Sequence, residues 1–164
     1  GVRIEMICGK RVLDYLNMVN DQNHQISVKL SAKMDKTAQA VERLQEENFR
    51  LKGQVGQMVD DMCRKEAERY AGSGSVLIFM DGMDADNVRK LADAVTQTCQ
   101  GCCAVFSKNA DGSYKYAMGE KDGDLRQFTK EMNAKLNGRG GGKPFFVQGS
   151  VQATEEEIRR FFEQ

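Results

Sequence analysis

The residues best suited to chemistry are the run Gly138-Arg139-Gly140-Gly141-Gly142-Lys143-Pro144. It sets four glycines in five residues beside two cations and the only proline of the chain. Glycine has no Cβ, so a phosphate or another backbone can approach its main chain closely. Successive free N–H groups in such a run form an anion-binding concavity, and Arg139 and Lys143 add positive charge to it. The same composition suits a flexible connection between a helix and the apolar residues that follow. Both readings stand on the motif alone.

The charge around the motif favours an anionic partner. From Arg126 to Lys143 there are five cations (Arg126, Lys130, Lys135, Arg139 and Lys143) and one acid, Glu131. Spacings near four place Arg126, Lys130 and the pair Lys135/Arg139 along one helical face. That is the footprint of a contact to an RNA backbone, and also that of a solvated helix face. Formal net charge is zero, because Glu155, Glu156, Glu157 and Glu163 offset these cations locally. Any nucleic-acid surface is therefore a patch and not a global field.

Other reactive groups are scattered. Cys99-x-x-Cys102-Cys103 is the one cluster among five cysteines. A zinc site needs a second pair or histidines at suitable spacing, whereas Cys8 and Cys63 are distant and His24 is the sole histidine. The cluster reads as small residues filling a helix-to-strand corner, and His24 as a surface or partly packed residue. No nucleophile has a base near it in sequence, so neither a catalytic residue nor a metal site is expected. No apolar run approaches the ~18 residues of a membrane span, and no signal peptide precedes the cysteines. A cytoplasmic protein with no membrane partner is the expectation.

Several elements must position the motif. Val2, Ile4 and Met6 alternate with Arg3 and Glu5, a period-two strand. An unpartnered strand leaves its backbone groups unsatisfied, so the chain is expected to begin mid-fold. From Lys10 the apolar residues Val12, Leu13, Leu16, Val19, Ile26 and Leu30 recur at helical spacing. Leu30, Met34, Thr37, Val41, Leu44, Asn48, Leu51, Val55, Met58 and Met62 then step by 4, 3, 4, 3 throughout, a heptad seam. Asn48 is its one strongly polar member, a type that fixes register at a cost in stability. The seam is roughly 50 Å long at about 1.5 Å per residue, and its apolar stripe requires a partner. An antiparallel hairpin turning near Ala32–Lys36, with Asp35 as a cap, supplies one; a straight helix paired with a second molecule is the alternative. Leu44, Asn48, Leu51, Val55 and Met58 are the candidate oligomerisation residues.

Gly72-Ser73-Gly74-Ser75 ends this helix as a short hinge. Beyond it the pattern reads strand (Val76–Met80), helix (capped by Asp84 or Asp86), strand (Cys102–Phe106), hairpin loop at Asn109–Ser113, strand (Tyr114–Met118) and helix (Leu125–Leu136). The glycine motif follows, then strand Phe145–Gln148 and a last helix opened by the capping box Thr154–Glu157. The expected fold is α+β, a long N-terminal helical hairpin or coiled coil and then a compact globular β-α-β-β-α-β-α domain. The expected divisions are residues 1–9, 10–71 and 75–164.

Two stretches carry a family resemblance: Leu77-Ile78-Phe79-Met80-Asp81-Gly82-Met83-Asp84-Ala85 and Gly138–Pro144. The globular half resembles the DHH-associated domain at the C-terminus of alanyl-tRNA synthetases and of long-form, stand-alone alanyl-tRNA editing proteins. Arg3–Arg11 looks like the last strand of the family's editing domain. Val41-Glu42-Arg43-Leu44-Gln45-Glu46-Glu47-Asn48 looks like the helical linker that follows it.

The resemblance implies a tRNA-binding module, its partner tRNA(Ala), with Arg139, Gly140, Gly141, Gly142, Lys143, Gln148, Arg126, Lys130 and Lys135 as contacts and a homodimer formed through the helices. In the family an upstream zinc-dependent domain hydrolyses mischarged tRNA(Ala). Its His-x3-His and Cys-x3-His pairs do not occur here, so no cofactor is expected in this chain, zinc belonging to the upstream domain. Related phosphoesterases carry a histidine after the glycines where Lys143 stands. Lysine keeps the charge and loses the directional imidazole, which favours the synthetase-like branch. A purely structural oligomerisation module and the substrate-binding half of a phosphoesterase are the alternatives.

Overall fold

The computed structural model describes residues 2–4, 6 and 8–163. They divide into two compact units, 1–55 and 56–164. Among the described residues of 2–8 no strand forms, so the alternation there does not give the expected element; Glu5 and Ile7 lie outside the described residues.

In the first unit, α1 (Lys10–Lys29) ends at Leu30, and Ser31 takes a positive φ of 48°. A 3-10 turn (Met34–Lys36) leads directly into α2 (Thr37–Arg69). The Thr37 hydroxyl donates to Asn23 Oδ1 at 2.8 Å, and Asn23 Nδ2 donates to the Met34 carbonyl at 2.9 Å. A continuous helix would hold residues 23 and 37 about 21 Å apart, so the helix is broken here; α1 packs on the 3-10 turn but not along α2, and Leu13, Leu16, Leu44 and Leu51 stay exposed, so the expected hairpin does not close over the seam. The turn uses Asn23 and Thr37 in place of the expected Asp35 cap, because Asp35 falls inside the 3-10 turn and not at the residue before the helix. Ser27 and Ala40, small residues, are buried at this break. Farther along, the seam stays uncovered within the chain: Leu44, Leu51, Val55 and Met58 are exposed, as is Asn48.

The second unit begins with the last turns of α2, whose Cys63 and Ala67 enter a core with Ile78, Val88, Leu91, Ala92, Val95, Cys103 and Val105. The segment 72–75, expected as a short hinge, is joined to the loop after α3 by backbone hydrogen bonds. Gly72 N–H donates to the Thr98 carbonyl, and Gln100 N–H donates to the Ser73 carbonyl.

The sheet has five strands in the order β1-β2-β3-β5-β4. They are β1 (Val76–Phe79), β2 (Cys103–Lys108), β3 (Tyr114–Gly119), β4 (Gly138–Lys143) and β5 (Phe146–Val151). Only β1 and β2 are parallel; β2–β3, β3–β5 and β5–β4 are antiparallel. Helix α3 (Ala85–Thr96) crosses between β1 and β2, and Asp84 caps it by accepting from Asn87 N–H at 2.8 Å. Helices α4 (Arg126–Lys135) and α5 (Glu155–Phe162) cover the opposite face, burying Met132, Leu136 and Ile158 against Phe106, Tyr116 and Met118. Thr154 and Glu157 form the expected capping box.

The architecture is thus α+β, but the order after α4 is β-β-α. The glycine run expected to be a loop is itself a strand, paired residue for residue with β5. Glycine is a poor strand former, and tertiary pairing overrides that preference. The following strand runs Phe146–Val151 and not Phe145–Gln148, since Pro144 and Phe145 form the two-residue hairpin turn.

Candidate nucleic-acid interface

β4 is an edge strand, and its pleat sends alternate residues to opposite faces. Gly138, Gly140 and Gly142 face α4: a Cβ on Gly138 would sit 2.5 Å from Asn133 Oδ1, and one on Gly140 would overlap the Tyr116 hydroxyl. Arg139, Gly141 and Lys143 therefore point to the other face, the side on which α3 lies. Gln148, directly opposite Gly141 in β5, shares that face.

This pleat divides the nine residues that the sequence groups together. On the α4 side, a cleft of about 470 Å³ brings Arg126 and Lys130 to the backbone of Gly140, Gly141 and Gly142. Its charge is partly cancelled, because Arg126 is bound to Asp124 with Nη2 to Oδ2 at 2.6 Å. That hydrogen bond holds the Asp124 carboxyl down at about 2. Lys135 lies farther along α4 with its Nζ 5.3 Å above the Phe161 ring. Arg139 does not continue the Lys135 helical face as its spacing suggested. Helix α4 ends at Lys135, and Asn137, with a φ of 50°, turns the chain into β4.

On the α3 side the sheet is half open. Helix α3 packs on β2 and β3, and Arg139, Gly141, Lys143, Gln148 and Ser150 remain exposed. A second groove, about 360 Å³, joins Lys143 and Gln148 to Arg89 of α3. Lys115 of β3 meets Arg89 and Gln148 in an adjoining hollow. Among the described residues Arg89, Lys115, Arg139 and Lys143 have no ion-pair partner. Lys143 Nζ rests 5.8 Å above the Phe145 ring at the hairpin tip.

Arg89 and Lys115 were missed by the sequence reading. Lys115 alternates with Ala117 and Gly119 and so was assignable to one face of its strand. Arg89 carries no local signal, since only the packing of α3 on the sheet brings it to β5.

Cys99, Cys102 and Cys103 occupy the helix-to-strand corner as small, buried or partly buried residues. Cys99 and Cys103 are buried, and Cys99 Sγ donates to the Gly101 carbonyl at 3.2 Å. Burial pushes the Cys102 thiol up to about 12 and the Cys103 thiol higher than its ordinary value. Neither is a reactive thiolate near neutral pH. Among the described residues no group of histidine, cysteine and carboxylate side chains has metal-binding geometry. His24 is exposed on α1.

A family model described as the DHHA1 domain matches residues 73–164. The chain belongs to the DHHA1 domain family. The DHHA1 region covers β1 through α5, and thus both faces of the glycine-rich edge. Over a longer span the chain is similar to alanine–tRNA ligases. It is 27% identical over 157 residues to that of Thiobacillus denitrificans, covering 87% of this chain and 18% of the relative. It is 26% identical over 162 residues to that of Clostridioides difficile, covering 91% of this chain and 18% of the relative. The chain thus spans less than a fifth of the length of the relatives it matches. The crystal structure of the C-Ala domain from Aquifex aeolicus alanyl-tRNA synthetase is also similar, with a TM-score of 0.48 and 19% identity, covering 57% of this chain and 92% of that one.

Proposed function

We propose that this chain is a C-terminal tRNA-binding module of an alanyl-tRNA synthetase-related or alanyl-tRNA editing protein. It recruits tRNA, tRNA(Ala) first of all, for hydrolysis of mischarged tRNA by a zinc-dependent domain elsewhere in the parent. It works in the cytoplasm without a cofactor or catalytic residue of its own. The observation that carries the reading is the open basic half of the sheet on the α3 side. There Arg139, Lys143, Arg89 and Lys115 stand unpaired among the described residues around an exposed β4–β5 surface. Unpaired cations on a rigid sheet meet phosphates without first breaking an internal ion pair, and release of counterions drives such binding. The membership in the DHHA1 family and the similarity to alanine–tRNA ligases support tRNA as the nucleic acid.

The test is a salt titration of tRNA binding by the full chain. Affinity falls steeply with salt, and Arg139→Ala with Lys143→Ala lowers the slope by about two, one for each lost phosphate contact. Equal affinity for tRNA and for duplex DNA at every salt concentration removes the tRNA reading.

One observation favours a second role beside this one. Val41, Leu44, Leu51, Val55 and Met58 are exposed along α2, and Phe49 is 82% exposed. A stripe of this length marks an interaction surface, here a homodimer formed through the helical region. A sedimentation mass that stays monomeric at high protein concentration removes it.

A further inference from the structure

We infer that the free edge of β1 receives an extended segment of a partner protein. The segment adds a strand to the sheet, seats an apolar side chain in the hollow beside β1 and offers a lysine or arginine to Glu120. This surface lies at the other end of the sheet from β4 and does not depend on the RNA-binding reading.

The two edge strands differ in how they are guarded. An open edge presents unpaired N–H and C=O groups, and charged side chains or proline normally blunt it. β4 carries Arg139 and Lys143 and runs into Pro144. β1 is Val76-Leu77-Ile78-Phe79, with no charge, proline or glycine. Among the described residues β1 pairs with β2 alone. The Val76 N–H donates to the Cys102 carbonyl at 2.8 Å, and the Met80 N–H donates to the Phe106 carbonyl at 2.9 Å. Successive residues of a strand direct their backbone groups to opposite sides. Leu77 and Phe79 therefore present their N–H and C=O groups away from β2, where an extended peptide can pair with them.

Beside this edge, on the face covered by α4 and α5, lies a hollow of about 350 Å³. Leu77, Leu125, Phe128, Phe161 and Phe162 form its apolar wall, and Glu120 and Asp124 complete it. Among the described residues no lysine or arginine lines it. Asp124 is already bound to Arg126, whereas Glu120 has no ion-pair partner among the described residues. The Glu120 carboxylate rests against Gly123, where a Cβ would overlap it, so the turn after β3 holds the charge in place. Side chains two residues apart on an extended strand share a face. One apolar residue can thus fill the hollow while the next on that face reaches the carboxylate. Charge also decides between partners. A second copy of this chain pairing antiparallel, with Leu77 opposite Phe79, would bring its Asp81 opposite Ser75. Ser75 shares the hollow with Glu120 and Asp124, and like charges brought together there oppose the pairing. A basic segment of another protein meets the opposite sign.

The test measures binding of the full chain to the peptide acetyl-Thr-Val-Phe-Thr-Lys-Val-Thr-amide, whose Phe and Lys share one face. Hydrogen exchange at the Leu77 and Phe79 amides is expected to slow on binding, since edge pairing engages both. Glu in place of the peptide's Lys, or Glu120→Lys in the protein, is expected to weaken binding by about 10-fold. The two changes together are expected to restore most of the loss. Of two peptides N-methylated on alternate residues in opposite phase, one is expected to lose binding and the other to keep it, because only one set of amides faces β1. The proposal falls if the unmodified peptide does not bind, or if its Lys and Glu forms bind equally. It falls if both N-methylated peptides bind as tightly as the parent, the hollow then taking a side chain without the edge. It also falls if raising the protein concentration alone protects the Leu77 and Phe79 amides, which would put a second copy on the edge.

Discussion

The Tyr116 hydroxyl occupies the space that a Cβ on Gly140 would need. It reaches that position by donating to Asn133 Oδ1 at 3.1 Å, which ties β3, α4 and the edge strand β4 together. Burial raises the Tyr116 pKa above its ordinary value, as befits a phenol that acts as a donor to a neighbouring amide. Gly140→Val must displace Tyr116 or separate β4 from β5, and we expect a loss of about 2 kcal/mol, in the range of overpacked cores. Tyr116→Phe is expected to cost about 1 kcal/mol by removing one hydrogen bond. Denaturant unfolding of the two variants checks both values.

The capping box gives a pH signature. Glu157 accepts from the backbone N–H of Thr154 at 2.7 Å, and this hydrogen bond lowers its pKa below 4.5. A carboxyl whose folded pKa is depressed contributes stability above its unfolded pKa and loses it as pH falls through the folded value. Glu157→Gln should therefore destabilise the protein at neutral pH, because it removes the carboxylate that accepts from the Thr154 N–H. The difference from wild type should shrink as the pH drops below 4.5. Thermal melts between neutral pH and acid measure it.

The buried thiols act at the other end of the scale. The Cys102 and Cys103 pKa values lie above 9.0 because burial disfavours thiolate. A group with a raised folded pKa favours folding below the unfolded pKa, and that stability is lost as pH rises through the folded value. Stability is expected to decline from pH 9.0 upward as the unfolded chain ionises first. Serine at residue 103 should weaken this dependence. In thiol labelling of the native protein, the exposed Cys8 should react well before the buried Cys99 and Cys103.

The division of cations between the two faces of β4 is directly measurable. Arg89→Ala should weaken tRNA binding and lower its salt slope by about one, as a phosphate contact does. Arg126→Ala should change both far less, because Arg126 is already paired with Asp124. A larger effect at Arg126 than at Arg89 would place the RNA on the α4 side instead.

The seam predicts separable units. Leu51 is exposed in the chain, so Leu51→Asp should abolish self-association in sedimentation. The melting of the 56–164 unit should stay unchanged, since Leu51 lies outside it.

The sequence by itself determined the features carried by near neighbours. The 4-3 apolar spacing specifies a long helix, Thr154 and Glu157 specify a helix start, and Asn109–Ser113 between apolar runs specifies a hairpin loop. Each depends on backbone geometry within a few residues, so the local pattern is sufficient. The cation cluster from Arg126 to Lys143 was equally visible as a cluster. Only the tertiary structure decided how it is arranged. Four glycines in five residues have no intrinsic preference for a strand, and β4 exists because β5 pairs with it. Once it is a strand, the pleat sends Arg139 and Lys143 away from Arg126 and Lys130, and α3 brings Arg89 to meet them. The distinction between Gly140 and Gly141 follows from the same cause. The two residues are identical in type and adjacent in sequence, but one faces Tyr116 and the other faces solvent.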